Sequence, residues 1–402
     1  KADEGTQGIL LKTSFLPYVP SKVAVELTGN AQAGTLLAAL SRNQFFTEQR
    51  PGPDPVYQYH LLFRAFLQTR ARQTYSVTEI RALLRRAAEL LETEGQVEDA
   101  VELCGASEAW DVLVRIILSN AQSMMSQGRH RLLDVWFAGL PAARLDQDPW
   151  LLYWRGMCRM PFVLAESREY LEKAFSLFRE RRDASGVYLA WSGVVESFIQ
   201  ELDLSRMDPW IGLLEVLMKE YPAFPSPQIE GHVTTSMFIA LSMRMPWHPA
   251  FDIWRDKAVA LLDSGFEATL RMLCGFYLLI HLLVVGDVAL CERVMSRMRV
   301  IIGSNKNVSP LAYITAKFGD AWLAWQTRSY ERALKAMNEG LQKSSDSGVH
   351  RWDYLLLMMG VLASLLSGDV HTSRELLGKM SLALEYGRPL DKFYYYWLAS
   401  WH

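Results

Sequence analysis

The stretch Tyr57-Gln58-Tyr59-His60-Leu61-Leu62-Phe63-Arg64-Ala65-Phe66-Leu67 decides how the N-terminal part of this chain folds. A proline- and glycine-rich loop, Pro51-Gly52-Pro53-Asp54-Pro55, precedes it. Residues 56–59 read as a short strand returning from that loop. His60 then opens a helix over 60–70, on which Leu62, Phe63, Phe66 and Leu67 share one face. Working outward, 21–27 reads as a helix stopped by Gly29-Asn30, and 31–41 as a second helix with Leu36, Leu37 and Leu40 on one side. Residues 43–48, with Phe45 and Phe46, read as the outgoing strand. Helix, helix, hairpin and helix make a winged-helix pattern.

Beyond residue 79 the pattern is almost wholly helical. The segment from Arg81 is apolar at helical spacing and ends at Gly95; a further helix follows over 98–104. Helix-to-helix turns fall at Gly128-Arg129, Glu166-Ser167, Ser205-Arg206, His248-Pro249, Gly286-Asp287, Arg328-Ser329 and Gly368-Asp369. Their successive spacings are 38, 39, 43, 38, 42 and 40 residues. Similar helices recur after these turns: Tyr170-Leu171-Glu172-Lys173-Ala174-Phe175, Val288-Ala289-Leu290-Cys291-Glu292-Arg293 and Tyr330-Glu331-Arg332-Ala333-Leu334-Lys335-Ala336. Self-similarity at about 40 residues marks a solenoid of helical hairpins. One hairpin cannot bury its own apolar faces, so neighbours stack and leave a concave wall suited to binding.

Composition agrees with a compact module plus an array. The chain has 402 residues, half of them hydrophobic, with a net charge of −2. That is too much apolar sequence for one compact domain. A pI near 6.5 gives no nucleic-acid footprint. The four cysteines, Cys104, Cys158, Cys274 and Cys291, are far apart in apolar segments. They read as reduced, buried thiols of a cytoplasmic protein. The longest apolar run, 273–285, is interrupted by His281 and falls short of the roughly 20 residues of a membrane span. Asn307-Val308-Ser309 matches a glycosylation acceptor, but no secretory signal accompanies it. The polar start at Lys1, with no initiator Met, suggests a piece of a longer protein.

Two features now coincide: the repeats, and the set Phe15-Leu16-Pro17, Ala24-Val25-Glu26-Leu27-Thr28-Gly29, Leu36-Leu37, Leu40, Asn43-Gln44-Phe45-Phe46 and Tyr57 to Leu67. Together they resemble the MalT-type family of large bacterial transcriptional activators, within the signal-transducing STAND ATPases. The resemblance covers about 9–140 by motif and 141–402 by architecture. It implies an all-α chain: a winged-helix module over 1–74, a helical arm over 75–147, and a tetratricopeptide-like α-α superhelix over 148–402. It implies that His60 touches the phosphates of bound ADP and helps hold a closed, inactive state. Imidazole can donate to an anionic oxygen, and the helix start offers backbone N–H groups nearby. The bland alternative is that His60 caps its helix. Further implied are ATP and ADP as cofactors of the parent protein, an upstream nucleotide-binding domain as partner, an inducer, self-oligomerisation, and DNA contact only through a LuxR-type domain beyond this chain.

No GxxxxGK[ST] loop occurs: Gly378-Lys379 is followed by Met380 and has no glycine at the required upstream position. The chain is therefore expected to be no enzyme by itself and to hold no cofactor. No HExxH, paired CxxC or local Ser/His/Asp arrangement occurs either, and the eight histidines form no metal-ligand pair. His232, His248, His281 and His350 read as surface or packed residues. Thirteen tryptophans are many for this length. Most should pack one helix on the next, while a subset lining the wall would suit a sugar-like or other small ligand. Lone charges in the first helices of hairpins help to pick that subset. Trp154, Arg155, Arg159, Trp191, Glu196, Lys317 and Asp320 are the expected groove residues. The other reading of the array is a scaffold that binds a protein in its groove, with no small inducer.

Overall fold

The computed structural model describes residues 3–52, 55–201, 203–304, 310–350, 352–382, 384 and 389–402. The glycosylation-like Asn307-Val308-Ser309 and part of the loop 51–55 lie outside the described residues. Contacts divide the chain into two compact units, Lys1–Asn120 with Val135–Ala142, and Ala121–Asp134 with Ala143–His402. The segment read as an arm, 75–147, is thus shared between the two.

The first unit starts with α1 (Glu4–Thr13), β1 (Val19–Pro20), α2 (Ser21–Thr28), α3 (Ala33–Arg42), β2 (Thr47–Arg50), β3 (Val56–Tyr59) and α4 (Leu61–Thr74). The strands form an antiparallel sheet in the order β1-β3-β2, with Val19 opposite Tyr57 and Thr47 opposite Tyr59. Two bridge residues make β1, too short to show any alternation in the sequence. The outgoing strand begins at Thr47, not Asn43. Asn43, Gln44 and Phe45 instead return backbone N–H groups to the carbonyls of Ala39, Ser41 and Leu40. Gln44 and Phe46 take positive φ, 57° and 48°, in ending α3. The core gathers Leu16, Val23, Ala24, Leu37, Tyr57, Tyr59 and Leu67. Tyr59 reaches Thr13 Oγ1 at 2.8 Å, and burial pushes its phenol up to about 12.

α4 is held by its polar side. Arg64 donates to the carbonyls of Ser14 (2.9 Å) and Phe15 (3.2 Å), and Gln68 to that of Ser14 (3.0 Å). Its apolar face is only half used. Leu67 is buried, but Leu62 and Phe66 are 77% and 63% exposed. The shared face is thus split: the guanidinium and amide anchors fix the helix's rotation and turn Leu62 and Phe66 outward. A capping box, Ser76 with Glu79, starts α5 (Val77–Thr93), which packs on α2. α6 (Val97–Ser107), α7 (Trp110–Ser126), α8 (His130–Ala138) and α9 (Ala142–Gln147) follow.

The second unit continues as hairpins: α10 (Pro149–Arg159) with α11 (Leu164–Glu180), α12 (Ala184–Glu201) with α13 (Asp208–Glu220), α14 (Pro227–Arg244) with α15 (Phe251–Leu261), α16 (Ala268–Val285) with α17 (Val288–Ser304), α18 (Pro310–Gln326) with α19 (Tyr330–Ser347), and α20 (Asp353–Ser367) with α21 (Val370–Leu382), then α22 (Pro389–Ala399). A 3-10 turn, Leu204–Met207, separates α12 from α13. First helices stack in a row, α10 on α12, then α14, α16, α18, α20 and α22, and second helices pack outside them. A first helix has neighbours on both sides, so it is apolar nearly all round: thirteen of the eighteen residues of α12 are buried. The same packing explains the apolar run at α16. By length and composition it is one helix able to cross a membrane, yet it packs against α14, α15, α17 and α18. Five of the six hairpin turns fall where the period places them. Gly286 and Gly368 sit at φ +87° and +84°, the left-handed cap that ends a helix. The turn expected at Glu166-Ser167 lies instead before Leu164, because Pro161, just past the end of α10, cannot continue a helix.

Candidate functional site

A chamber of about 280 Å³ opens in the second unit. Among the described residues, every side chain lining it comes from the stacked first helices, from Trp352 just before α20, or from α22. α12 supplies Glu196, Ile199 and Gln200; α14 supplies Met243; α16 supplies Phe276, Tyr277 and Ile280. α18 contributes Phe318, Trp322 and Trp325, at i, i+4 and i+7. Trp352, at the start of α20, precedes Leu355, Met358, Met359 and Leu362, and Tyr394 and Trp397 come from α22.

The rings touch in sequence. Tyr277 and Phe276 are 5.6 Å apart between centroids, Phe276 and Trp352 4.9 Å, Phe276 and Phe318 5.6 Å, and Phe318 and Trp322 5.5 Å. Trp352 and Phe318 lie nearly parallel, 13° apart at 6.3 Å. The Trp352 indole donates to Thr315 Oγ1 at 2.8 Å, which fixes its rotation. One carboxyl interrupts this apolar wall. Glu196 is 9% exposed; it accepts from the Tyr277 hydroxyl, and from Gln200 Nε2 at 2.9 Å. The Trp325 Nε1 is buried with no hydrogen-bond partner among the described residues.

Of the seven expected groove residues, Glu196 lies in this lining. The other six are placed elsewhere, each for a physical reason. Arg155 and Arg159 both approach Asp134, at 3.8 and 2.8 Å; Arg159 also meets Glu166 at 2.8 Å, and Arg155 lies 5.5 Å above the Tyr170 ring. Half-buried charges in a low dielectric favour such pairing. Trp154 sits edge-on to Tyr153 at 5.1 Å. Trp191 is fully buried and donates to the carbonyl of Trp210 at 2.8 Å. Lys317 pairs with Glu339 of α19, and Asp320 with Arg299 of α17 at 2.5 Å. Those two point to second helices, whereas Phe318 and Trp322 point to the chamber. The sequence does carry a signal for the lining residues. Tyr277, Phe318, Met358 and Trp397 are 41, 40 and 39 residues apart, one register position repeated along the row. Glu196 and Tyr277, which meet, are 81 apart, two repeats.

His60 is the N-cap of α4. Its Nδ1 accepts from the Leu62 N–H at 3.4 Å, its own N–H donates to the carbonyl of Phe46 at 2.8 Å, and its ring lies 6.3 Å from that of Phe46. The ring is otherwise exposed, beside the outward Phe46, Leu61 and Leu62. Among the described residues no group of three or more His, Cys, Asp or Glu stands ready for an ion. Burial pushes His232 down to about 4, and His281 is also lowered by burial, with Ser242 at 2.8 Å from its Nδ1. The four cysteines are free and buried.

With this geometry in hand, similarity to known proteins is informative. Residues 1–79 match the MalT winged helix domain family. The N-terminal module is a MalT-type winged helix. The HTH-type transcriptional regulator MalT of two Klebsiella pneumoniae strains is 28% and 27% identical over 150 residues, 37% of this chain and 16% of each relative. This chain therefore aligns with about a sixth of the length of those curated relatives. Among solved structures, a signal transduction ATPase with numerous domains (STAND) that carries a tetratricopeptide repeat sensor, from Pyrococcus horikoshii, superposes with a TM-score of 0.53. It is 11% identical, and the match covers 99% of this chain and 60% of that one. The fold is all-α, a small winged-helix module followed by a tetratricopeptide-like superhelix, as the sequence leads one to expect. The first 79 residues thus belong with MalT-type winged helices, and the chain shares its fold with the Pyrococcus horikoshii protein.

Proposed function

We propose that this chain is the sensing part of a nucleotide-switched, MalT-like transcriptional regulator, and that the chamber takes its inducer. The chamber carries the reading: first helices of successive repeats converge on one apolar, aromatic-walled cavity with a small polar cluster. Ligand sites are built this way. The MalT-type winged helix and the STAND-like fold support the regulatory role.

In this reading the parent protein also has a nucleotide-binding domain that takes ATP or ADP. That domain docks on the outward apolar face of α4, and His60 reaches the ADP phosphate there. Nδ1 is already engaged with the Leu62 N–H, so Nε2 is the nitrogen that donates. This chain has no phosphate loop and catalyses nothing by itself. DNA is bound by a LuxR-type domain elsewhere in the parent, in the cytoplasm, where free buried thiols persist. The inducer must bind the open state more tightly than the closed one, or it shifts nothing. ATP then replaces ADP and the protein self-assembles.

Thermal unfolding of the purified chain against a small-molecule panel tests the sensor. A ligand at 100 times its Kd stabilises by about 2.7 kcal/mol, and the shift should saturate and be lost in Trp397→Ala. Stoichiometric capture of a protein partner, with no small molecule shifting the transition, would favour the scaffold instead.

A further inference from the structure

The chamber's chemistry goes further and selects a class of ligand, given the reading of the chamber as the inducer site. Its polar groups are largely occupied by one another. Glu196 accepts from the Tyr277 hydroxyl and from Gln200 Nε2, that same amide nitrogen lies 3.2 Å from Met160 Sδ, and the Trp352 indole donates to Thr315. The Glu196 carboxyl is therefore a buried group already held by its neighbours, not a counter-charge kept for a ligand. Charge on the ligand is then penalised in either sign. An anion would meet that carboxyl, and among the described residues no Lys, Arg or His lines the chamber. A cation would be drawn to the ring faces, yet by less than it costs to strip an ammonium of its water with no counter-charge. A sugar would leave several hydroxyls unpaired against this wall.

Size and shape narrow the class further. A dry apolar cavity of about 150 Å³ takes one benzene, so about 280 Å³ suits a fused bicycle. Phe318 and Trp352 stand 13° from parallel, and the Thr315 bond holds the Trp352 plane, which suits a flat guest. Met243, Met358 and Met359 complete the wall with flexible thioethers, which make favourable contacts with ring edges.

We propose that the chamber recognises an uncharged, flat, largely apolar molecule the size of a fused bicycle. It is seated against Phe318, Trp322 and Trp352 and held by apolar burial, with no ion pair.

Calorimetry on the whole chain tests this with one ring system in three charge states: indole, tryptamine and indole-3-acetate, beside a trisaccharide. Indole should bind about tenfold tighter than either charged analogue, with a negative heat-capacity change from the buried apolar surface. Trp322→Ala, which removes part of the wall, should weaken indole by about tenfold. If that variant does not fold, the charge series on the natural chain still decides. Tryptamine or indole-3-acetate binding as tightly as indole overturns the uncharged ligand. Saturable trisaccharide binding that Trp397→Ala removes also overturns it, yet leaves the chamber an inducer site. Indole, benzofuran and quinoline all failing to bind overturns it too, and the sensor reading then stands or falls by whether another small molecule fills the chamber.

Discussion

At the scale of single residues, two side chains carry the argument, and His60 has two roles to separate. As an N-cap it makes one long hydrogen bond, 3.4 Å to the Leu62 N–H, which is weak for a cap. Asn is a good N-cap residue, while Ala cannot accept that bond. In the full-length parent, His60→Asn and His60→Ala should both raise inducer-independent transcription if the ring holds ADP. If His60 only caps, Asn should behave as the natural residue and Ala should lose about 1 kcal/mol of stability. A reporter assay at equal protein level separates the cases, and basal activity unchanged in both variants sinks the lock. Glu196 was legible because it is a lone acid in an apolar helix. Lys317 and Asp320 look similar in sequence yet pair outward. Adjacent helical residues differ by about 100°, so Lys317 and Phe318 face different neighbours. Sequence reveals the charge but not the rotation of the helix that aims it.

Elements are set by punctuation, and were legible in proportion to it. Glycines with left-handed φ closed the turns at Gly286 and Gly368, and the period found them. The α10–α11 turn was misplaced because a polar pair, Glu166-Ser167, resembles a turn, while the real stop is Pro161. The outgoing strand was misplaced because Phe45 and Phe46 look like strand residues; Phe45 instead donates its N–H back to the Leu40 carbonyl of α3, and Phe46 donates to Gln44 in the turn that follows. The rotation of α4 was likewise hidden, since it depends on where Arg64 and Gln68 find carbonyls fifty residues earlier. Close helix packing has its own signature. A Cβ on Gly186 would stand 2.1 Å from the Phe178 ring, so α12 approaches α11 only because residue 186 has no side chain. A rigid ring cannot yield as a methionine would. Gly186→Ala should therefore lower stability by about 1–3 kcal/mol, the range for overpacking, although alanine favours an isolated helix. Urea denaturation measures it; a variant as stable as the natural chain would show that α11 and α12 can move apart at no cost.

At the scale of the whole molecule, each unit is intelligible by itself. The first begins with a winged helix whose sheet and helices bury one side of α4 and leave Leu62 and Phe66 exposed. The second is a row in which each hairpin completes the core of the next, and its last member departs from that rule. α22 packs on α20 and α21, as succession requires, and also on α12, nearly two hundred residues earlier. The row therefore closes on itself there, with Tyr394 and Trp397 meeting a wall that Glu196 and Gln200 share. Nearest-neighbour stability lets a terminal helix be removed without unfolding the rest. Deleting 389–402 should keep the helical circular dichroism of α10 to α21 and uncover the aromatic wall. An apolar dye such as ANS should then bind and brighten. Trp397→Ala should show the same changes to a smaller extent. Unchanged dye binding in the deletion would mean that α22 is no roof, and that the chamber is closed by the hairpins alone.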